Sequence, residues 1–181
     1  MAQMSGSEEY FDVVDARDAV IGRASRREVH ARGLWHRAVH VMVFDAAGRV
    51  LLQRRSALKD VAPRLWASSC SGHVDAGEEY DPAALRELGE EIGVYPTAGS
   101  APARWFRVEA CEPTGWEFVW VYRLRHDGPV RLEPREIEEA AWHPPAAVDA
   151  WLAGAPGDFC PSFGLIWPLV SARLAAGGSS F

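Results

Sequence analysis

Between Asp81 and Gly93 the chain holds a stretch with helical patterning that the rules of helix stability do not favour. At about 100° per residue, Leu85, Leu88 and Ile92 share one face with Gly89 beside them. Glu87, Glu90 and Glu91 are then expected on the opposite face. Glu87 is the i−3 and i−4 neighbour of Glu90 and Glu91, and like charges at those spacings cost an isolated helix roughly 0.2–0.5 kcal/mol per pair. Glu90 and Glu91 also fall in the last turn, where the helix dipole disfavours anions. Gly89 in the interior costs about 1 kcal/mol relative to Ala. Local rules broken together mark a functional site, and the natural remedy for three crowded carboxylates is a hard divalent cation with oxygen ligands. On the helix alone, a solvated acidic face is an equal alternative.

The flanks frame this helix. Asp81 is placed to cap its amide groups, Pro82 suits a first helical position, and Gly93 is a left-handed stop. Upstream, 10–15 and 19–25 read as short strands, followed by a basic loop with Arg23, Arg26, Arg27, Arg32 and Arg37 interleaved with His30 and His36. Next come an apolar strand over 38–44, a turn at 45–48 and a strand over 50–55, a hairpin. Strands are expected at 105–110, 117–125 and 140–142, and helices at 145–152 and 164–175. Strands on both sides of a central helix, with more helices at the end, predict an α/β sandwich around a mixed sheet. Residues 1–9 and 177–181 are expected to be frayed ends around a single domain over 10–176.

Around the acidic helix the spacing becomes specific. Gly72 is followed by five residues, then Glu78, seven more, and Arg86-Glu87-Leu88-Gly89-Glu90-Glu91-Ile92-Gly93-Val94. This pattern resembles the Nudix box at every specified position. Seven specified residues match by chance on the order of 10⁻⁹ per start point. The resemblance implies a Nudix-type α/β/α sandwich with a mixed central sheet. It also implies magnesium, with manganese as an alternative, held by Glu87, Glu90, Glu91, the Gly72 carbonyl and Glu78, while Arg86 orients the carboxylates. The reaction implied is attack of a metal-positioned water on one phosphorus of a diphosphate, with a nucleoside diphosphate derivative as the default substrate. Glu87, Glu91, Glu117 and Glu139 are the candidates for general base.

Outside the box, the segment 48–55 with Lys59, Pro63, Trp66 and Ser69-Cys70-Ser71-Gly72-His73 is similar to the Nudix branch containing type 1 isopentenyl-diphosphate isomerase. Those enzymes carry a catalytic cysteine immediately before the glycine equivalent to Gly72, where this chain has Ser71. Cys70 is one residue early, and on a strand one residue reverses side-chain direction. Of the three histidines and two glutamates of the isomerase metal site, His36, His73 and Glu117 fall on matching positions. His30 is off by one, and Gly115 replaces the second glutamate. The resemblance thus favours hydrolysis, with isomerisation and a non-catalytic diphosphate sensor as alternatives. His36, His73 and Glu117 are candidates for a second metal, although isolated loop histidines are the commoner case.

Arg54, Arg55 and Lys59 are candidates for binding substrate phosphate. Trp116, Phe159 and Phe163 read first as core, and the cluster from Arg23 to Arg37 as surface. A formal charge of −6 argues against a nucleic-acid partner. No apolar run is long enough for a membrane span. Three well-separated cysteines, Cys70, Cys111 and Cys160, with no CxxC pair fit a reduced cytoplasmic setting. The expected partner is a small diphosphate, and a homodimer is left open.

Overall fold

Strand β3 (His36–Phe44) organises the molecule because it is apolar on both sides. Successive side chains on a strand point to opposite faces. Val39, Val41 and Val43 therefore enter one core, and Ala38, Met42 and Phe44 enter the other. In the computed structural model, which describes residues 8–177, β3 runs parallel to β8 (Glu117–Arg125) from His36 opposite Glu117 to Phe44 opposite Arg125. On its other edge it pairs antiparallel with β6 (Cys70–His73), from Ala38 opposite His73 to Val41 opposite Cys70. A turn with Gly48 at φ 76° leads into β4 (Val50–Arg55), which pairs with β5 (Trp66–Ala67) and β9 (Ile137–His143). β7 (Ala103–Val108) extends the sheet beyond β8. The sheet is mixed, as expected.

Helix α2 (Tyr80–Ile92) covers one face through Ala83, Ala84, Leu88 and Ile92. On the other face, α3 (Pro145–Gly154) contributes Val148, and α4 (Pro161–Ala176) contributes Phe163, Ile166, Trp167 and Val170. The result is the predicted α/β/α sandwich. A separate hairpin of β1 (Tyr10–Val14) and β2 (Val20–Ser25) leads into a short helix α1 (Arg26–Arg32), and Phe11, Ala24 and Val29 form its small core.

Three expectations change. The basic segment after β2 is a helix, not a loop. Ser25 caps it by accepting from the Glu28 amide, and Gly33 ends it in the left-handed region at φ 59°. Helix α2 begins before Asp81, whose carboxylate accepts from Arg104 and the Tyr122 hydroxyl, both at 2.6 Å, instead of capping the helix. The acidic face does not lie opposite the core. Glu87 and Glu91 are 9% and 3% exposed, within the buried arc, whereas Leu85 sits at its edge, 39% exposed. The predicted frayed ends fall outside the described residues except at Glu8, Glu9 and Gly177. Of these, Glu9 accepts from Arg26 through both its backbone carbonyl and its carboxylate, each at 2.8 Å.

This register of α2 has a direct test. Leu88→Ala should lower the unfolding free energy by about 2–5 kcal/mol, whereas Leu85→Ala should change it by less than about 1 kcal/mol. Denaturant titrations of the two variants should separate them clearly, and equal losses would contradict the placement.

Candidate functional site

The acidic site is built on a missing side chain. Gly72 on β6 faces α2, and a Cβ there would lie 2.1 Å from the carboxyl carbon of Glu87. Only glycine lets that carboxylate lie flat against the strand. One turn further along α2, Glu91 accepts from Gln53 Nε2 at 2.9 Å and from the Ser71 amide at 3.0 Å. Burial and the neighbouring Glu91 push the Glu87 carboxyl up to about 8, and burial also raises that of Glu91. Two desolvated carboxylates on one helix face, with the exposed Glu90 beside them, suit a hard divalent cation. All three line a cavity of about 570 Å³ that also contains Gly72, Arg86, Lys59 and Arg26.

Arg86 holds this array in place. Its guanidinium forks onto Glu78, with Nε 3.0 Å from Oε1 and Nη2 2.8 Å from Oε2. It also donates to Glu87 at 2.6 Å, to Glu90 at 3.2 Å and to the His73 carbonyl at 2.9 Å. Hydrogen bonding to Glu78 is the main cause of an upward shift of the Arg86 pKa. Both oxygens of Glu78 are thereby engaged, and one also accepts from the Asp75 amide. In this arrangement Glu78 anchors Arg86.

A second cluster lies on the opposite face of β6. One ligand-capable atom from each of His30, His36 and His73 falls within 4.8 Å of the others. His36 Nδ1 lies 2.9 Å from the Leu34 carbonyl, the contact that commits a ring's other nitrogen to a ligand. His36 Nε2 and His73 Nε2 lie 3.5 and 3.1 Å from Glu117 Oε1, yet both are buried without a hydrogen-bond partner. Burial alone would raise the Glu117 carboxyl, but His36 and His73 hold it well below the usual range. Phe11 stacks on His73 at 4.4 Å and on His36 at 5.6 Å, closing the cluster from the N-terminal side. His30 was the residue missed in the sequence. Its one-residue offset was weighed as loop spacing, but it stands on α1, which aims it at the other two rings. The orphaned nitrogens and the adjacent carboxylate fit a second divalent metal.

The basic candidates separate. Lys59 pairs with Glu136 and lines both this cavity and a neighbouring one of about 250 Å³. Arg55 lines the smaller cavity, with Nε donating to the Val61 carbonyl at 3.1 Å. Arg54 lines neither, because its Nη2 pairs with Glu139 at 2.9 Å and Glu138 at 3.5 Å. Arg54 and Glu139 thus pair with each other away from both cavities. Arg26, read as surface, instead stands at both cavities, bridging Glu9 and Asp60. Trp116 rests on Gly33, while Phe159 and Phe163 are core.

Comparison with known proteins places this geometry in context. The family model of the NUDIX domain matches residues 34–162. An uncharacterised Nudix hydrolase of Streptomyces coelicolor is 41% identical over 143 residues, covering 77% of this chain and 75% of its own. An isopentenyl-diphosphate Delta-isomerase of Nocardia farcinica is 38% identical over 157 residues, covering 83% of this chain and 87% of its own. A crystal structure of a Deinococcus radiodurans protein superposes with a TM-score of 0.72 at 28% identity, covering 81% of this chain and 90% of that one.

The raised Glu87 carboxyl makes stability depend on pH in the absence of metal. The folded chain keeps a proton that the unfolded chain releases near the ordinary value of 4.5. The stability this contributes is complete below about 4.5 and lost as pH rises through about 8. The melting temperature of metal-free protein should therefore fall over that range, and Glu87→Gln should flatten the fall. Magnesium should raise the wild-type melting temperature at pH 8 more than that of the variant. Parallel pH slopes for the two proteins would show that Glu87 is not the group responsible.

Proposed function

The chain belongs to the Nudix family, and from that premise we propose that it is a magnesium-dependent hydrolase of a diphosphate linkage in a small soluble molecule. The observation that carries this reading is the burial of Glu87 against Gly72 and of Glu91 against Ser71 and Gln53, with Glu90 on the same cavity. Glu87, Glu90, Glu91 and the Gly72 carbonyl are the groups that would hold the cation, with manganese as an alternative. When bound, the cation supplies positive charge for the phosphate oxygens and lowers the pKa of water. Lys59 and Arg26, at the junction of the two cavities, and Arg55 in the smaller one add cationic groups for the diphosphate. Water forms a bond to one phosphorus, the bridging P–O bond breaks, and the water proton passes to a carboxylate of α2. Glu87 and Glu91 face the chamber and are suited to that role, with Arg86 positioning Glu87 and Gln53 and the Ser71 amide positioning Glu91.

A second reading, isomerisation of isopentenyl diphosphate, is favoured by the cluster of His30, His36, His73 and Glu117. Against it stands the cysteine. Cys70 points into the α2-side core, and burial pushes its thiol well above the usual range. Ser71 is the residue whose position borders the cavities. A serine hydroxyl at that position is a far weaker acid than a thiol for moving a proton at carbon.

Two measurements decide between these. Incubated with magnesium and a panel of nucleotides and alkyl diphosphates, the wild-type protein should release phosphate or the corresponding monophosphate. Glu91→Gln should lower kcat by roughly 10²–10⁴-fold, and Glu90→Gln should raise the magnesium needed for half-maximal rate; unchanged behaviour in both rejects the assignment. In heavy water, isopentenyl diphosphate should gain no deuterium, and uptake into an allylic product without phosphate release would establish the isomerase reading instead.

A further inference from the structure

The smaller cavity, about 250 Å³, lies beside the acidic chamber and shares Arg26, Lys59, Ser71, Gly72 and His73 with it. It is below the roughly 300–1,000 Å³ that encloses larger organic ligands. Its walls combine small aliphatic residues, among them Ala38, Val61, Ala62, Ala67 and Pro161, with charged groups such as Arg55, Lys59, Glu112 and Glu117. No Phe, Tyr or Trp among the described residues lines it, and the rings it presents are the imidazoles of His30, His40 and His73, so its small volume is what disfavours a nucleobase.

The cavity also has a polar spot that the hydrolytic reading does not use. His40 on β3 stands directly opposite Ser71 on β6, and both line the cavity. On one face of an antiparallel pair, such residues are immediate neighbours. The His40 ring is 95% buried by its 5% exposure, and its Nδ1 lies 2.8 Å from Ser68 Oγ, itself fully buried. Among the described residues, no group hydrogen-bonds His40 Nε2 or Ser71 Oγ. Burial lowers the imidazole to about 4, so it is a neutral hydrogen-bonding ring at ordinary pH. Because His40 borders the cavity, whatever fills that space decides whether its Nε2 has a partner.

We infer that His40, oriented by Ser68 and flanked by Ser71, is a specificity-determining residue that hydrogen-bonds a hydroxyl or carbonyl on the organic half of the substrate. The inference rests on the diphosphate reading above and narrows it to short oxygenated aliphatic diphosphates, in place of nucleotides or bare hydrocarbon chains. A hydrocarbon entering the cavity would strip water from Nε2 and give it no partner. An oxygen at the same place would restore the bond. Sites built to bond a polar group discriminate strongly against analogues that lack it.

The test uses a matched pair of non-hydrolysable methylenediphosphonates, one carrying a 3-methyl-3-butenyl chain and the other a 3-hydroxy-3-methylbutyl chain. Their affinities for the full-length protein are measured by calorimetry in magnesium, so the result does not depend on turnover. Wild type should bind the hydroxylated compound roughly tenfold or more tightly. His40→Leu should abolish or invert that preference, and His40→Gln, which keeps an amide near the position of Nε2, should retain most of it. Equal affinities in wild type, tighter binding of the hydrocarbon, or no binding of either compound would overturn the inference. Phosphate release from the substrate panel reports separately on the hydrolase reading. Turnover of diphosphates without this preference removes the role of His40 alone, and loss of turnover with the preference intact removes only the hydrolysis.

Discussion

The contact between Gly72 and Glu87 is the constraint on which the rest of this molecule depends. A strand and a helix approach so closely there that a single added carbon would overlap the carboxylate. Glycine makes the approach sterically possible, and the approach makes the charge costly, because a carboxylate pressed against a strand loses most of its water. Arg86 relieves part of that cost, but it is shared among Glu78, Glu87 and Glu90. What remains is a site whose electrostatics are completed by a proton or a cation. The helix is a poor one in isolation, and local instability of this kind is characteristic of functional sites.

The second constraint is the alternation of side chains on β3 and β6. Residues 39, 41 and 43 pack beneath α2, while His36, Ala38 and His40 face the other way. On the paired strand, Cys70 and Gly72 look toward α2, and Ser71 and His73 look toward the histidine cluster and the smaller cavity. The four residues of β6 thus serve two chambers, with neighbours in sequence assigned to opposite faces of one sheet. The displacement of a cysteine by one position is consequently not conservative. It exchanges a cavity-facing thiol for a buried one and leaves a hydroxyl in its place.

Contiguous features were legible before any coordinates. The box from Gly72 to Val94 shows its spacing directly, because its members lie on one strand end, the loop after it and one helix. The apolar run over 38–44 and the segment 117–125 read as strands, and the stop at Gly93 as a left-handed turn, because each is a local consequence of backbone geometry. Features that depend on a partner far along the chain were read less well. Asp81 looked like a cap until Arg104 and Tyr122, from distant strands, claimed its carboxylate. The pairing of both Glu78 oxygens with Arg86, and of Arg54 with Glu139 on β9, likewise joins residues that no short window brings together.

The amino-acid sequence alone determined the family pattern, the sandwich of helices on a mixed sheet and the three glutamates of the acidic helix. These follow from spacing and periodicity within short windows. The tertiary structure decided which of those glutamates are buried, that His30 joins His36 and His73, and that His40 and Ser71 lie side by side in one cavity. Burial and proximity arise from how strands register and helices dock, and those are properties of the whole chain's packing that no local stretch of residues contains.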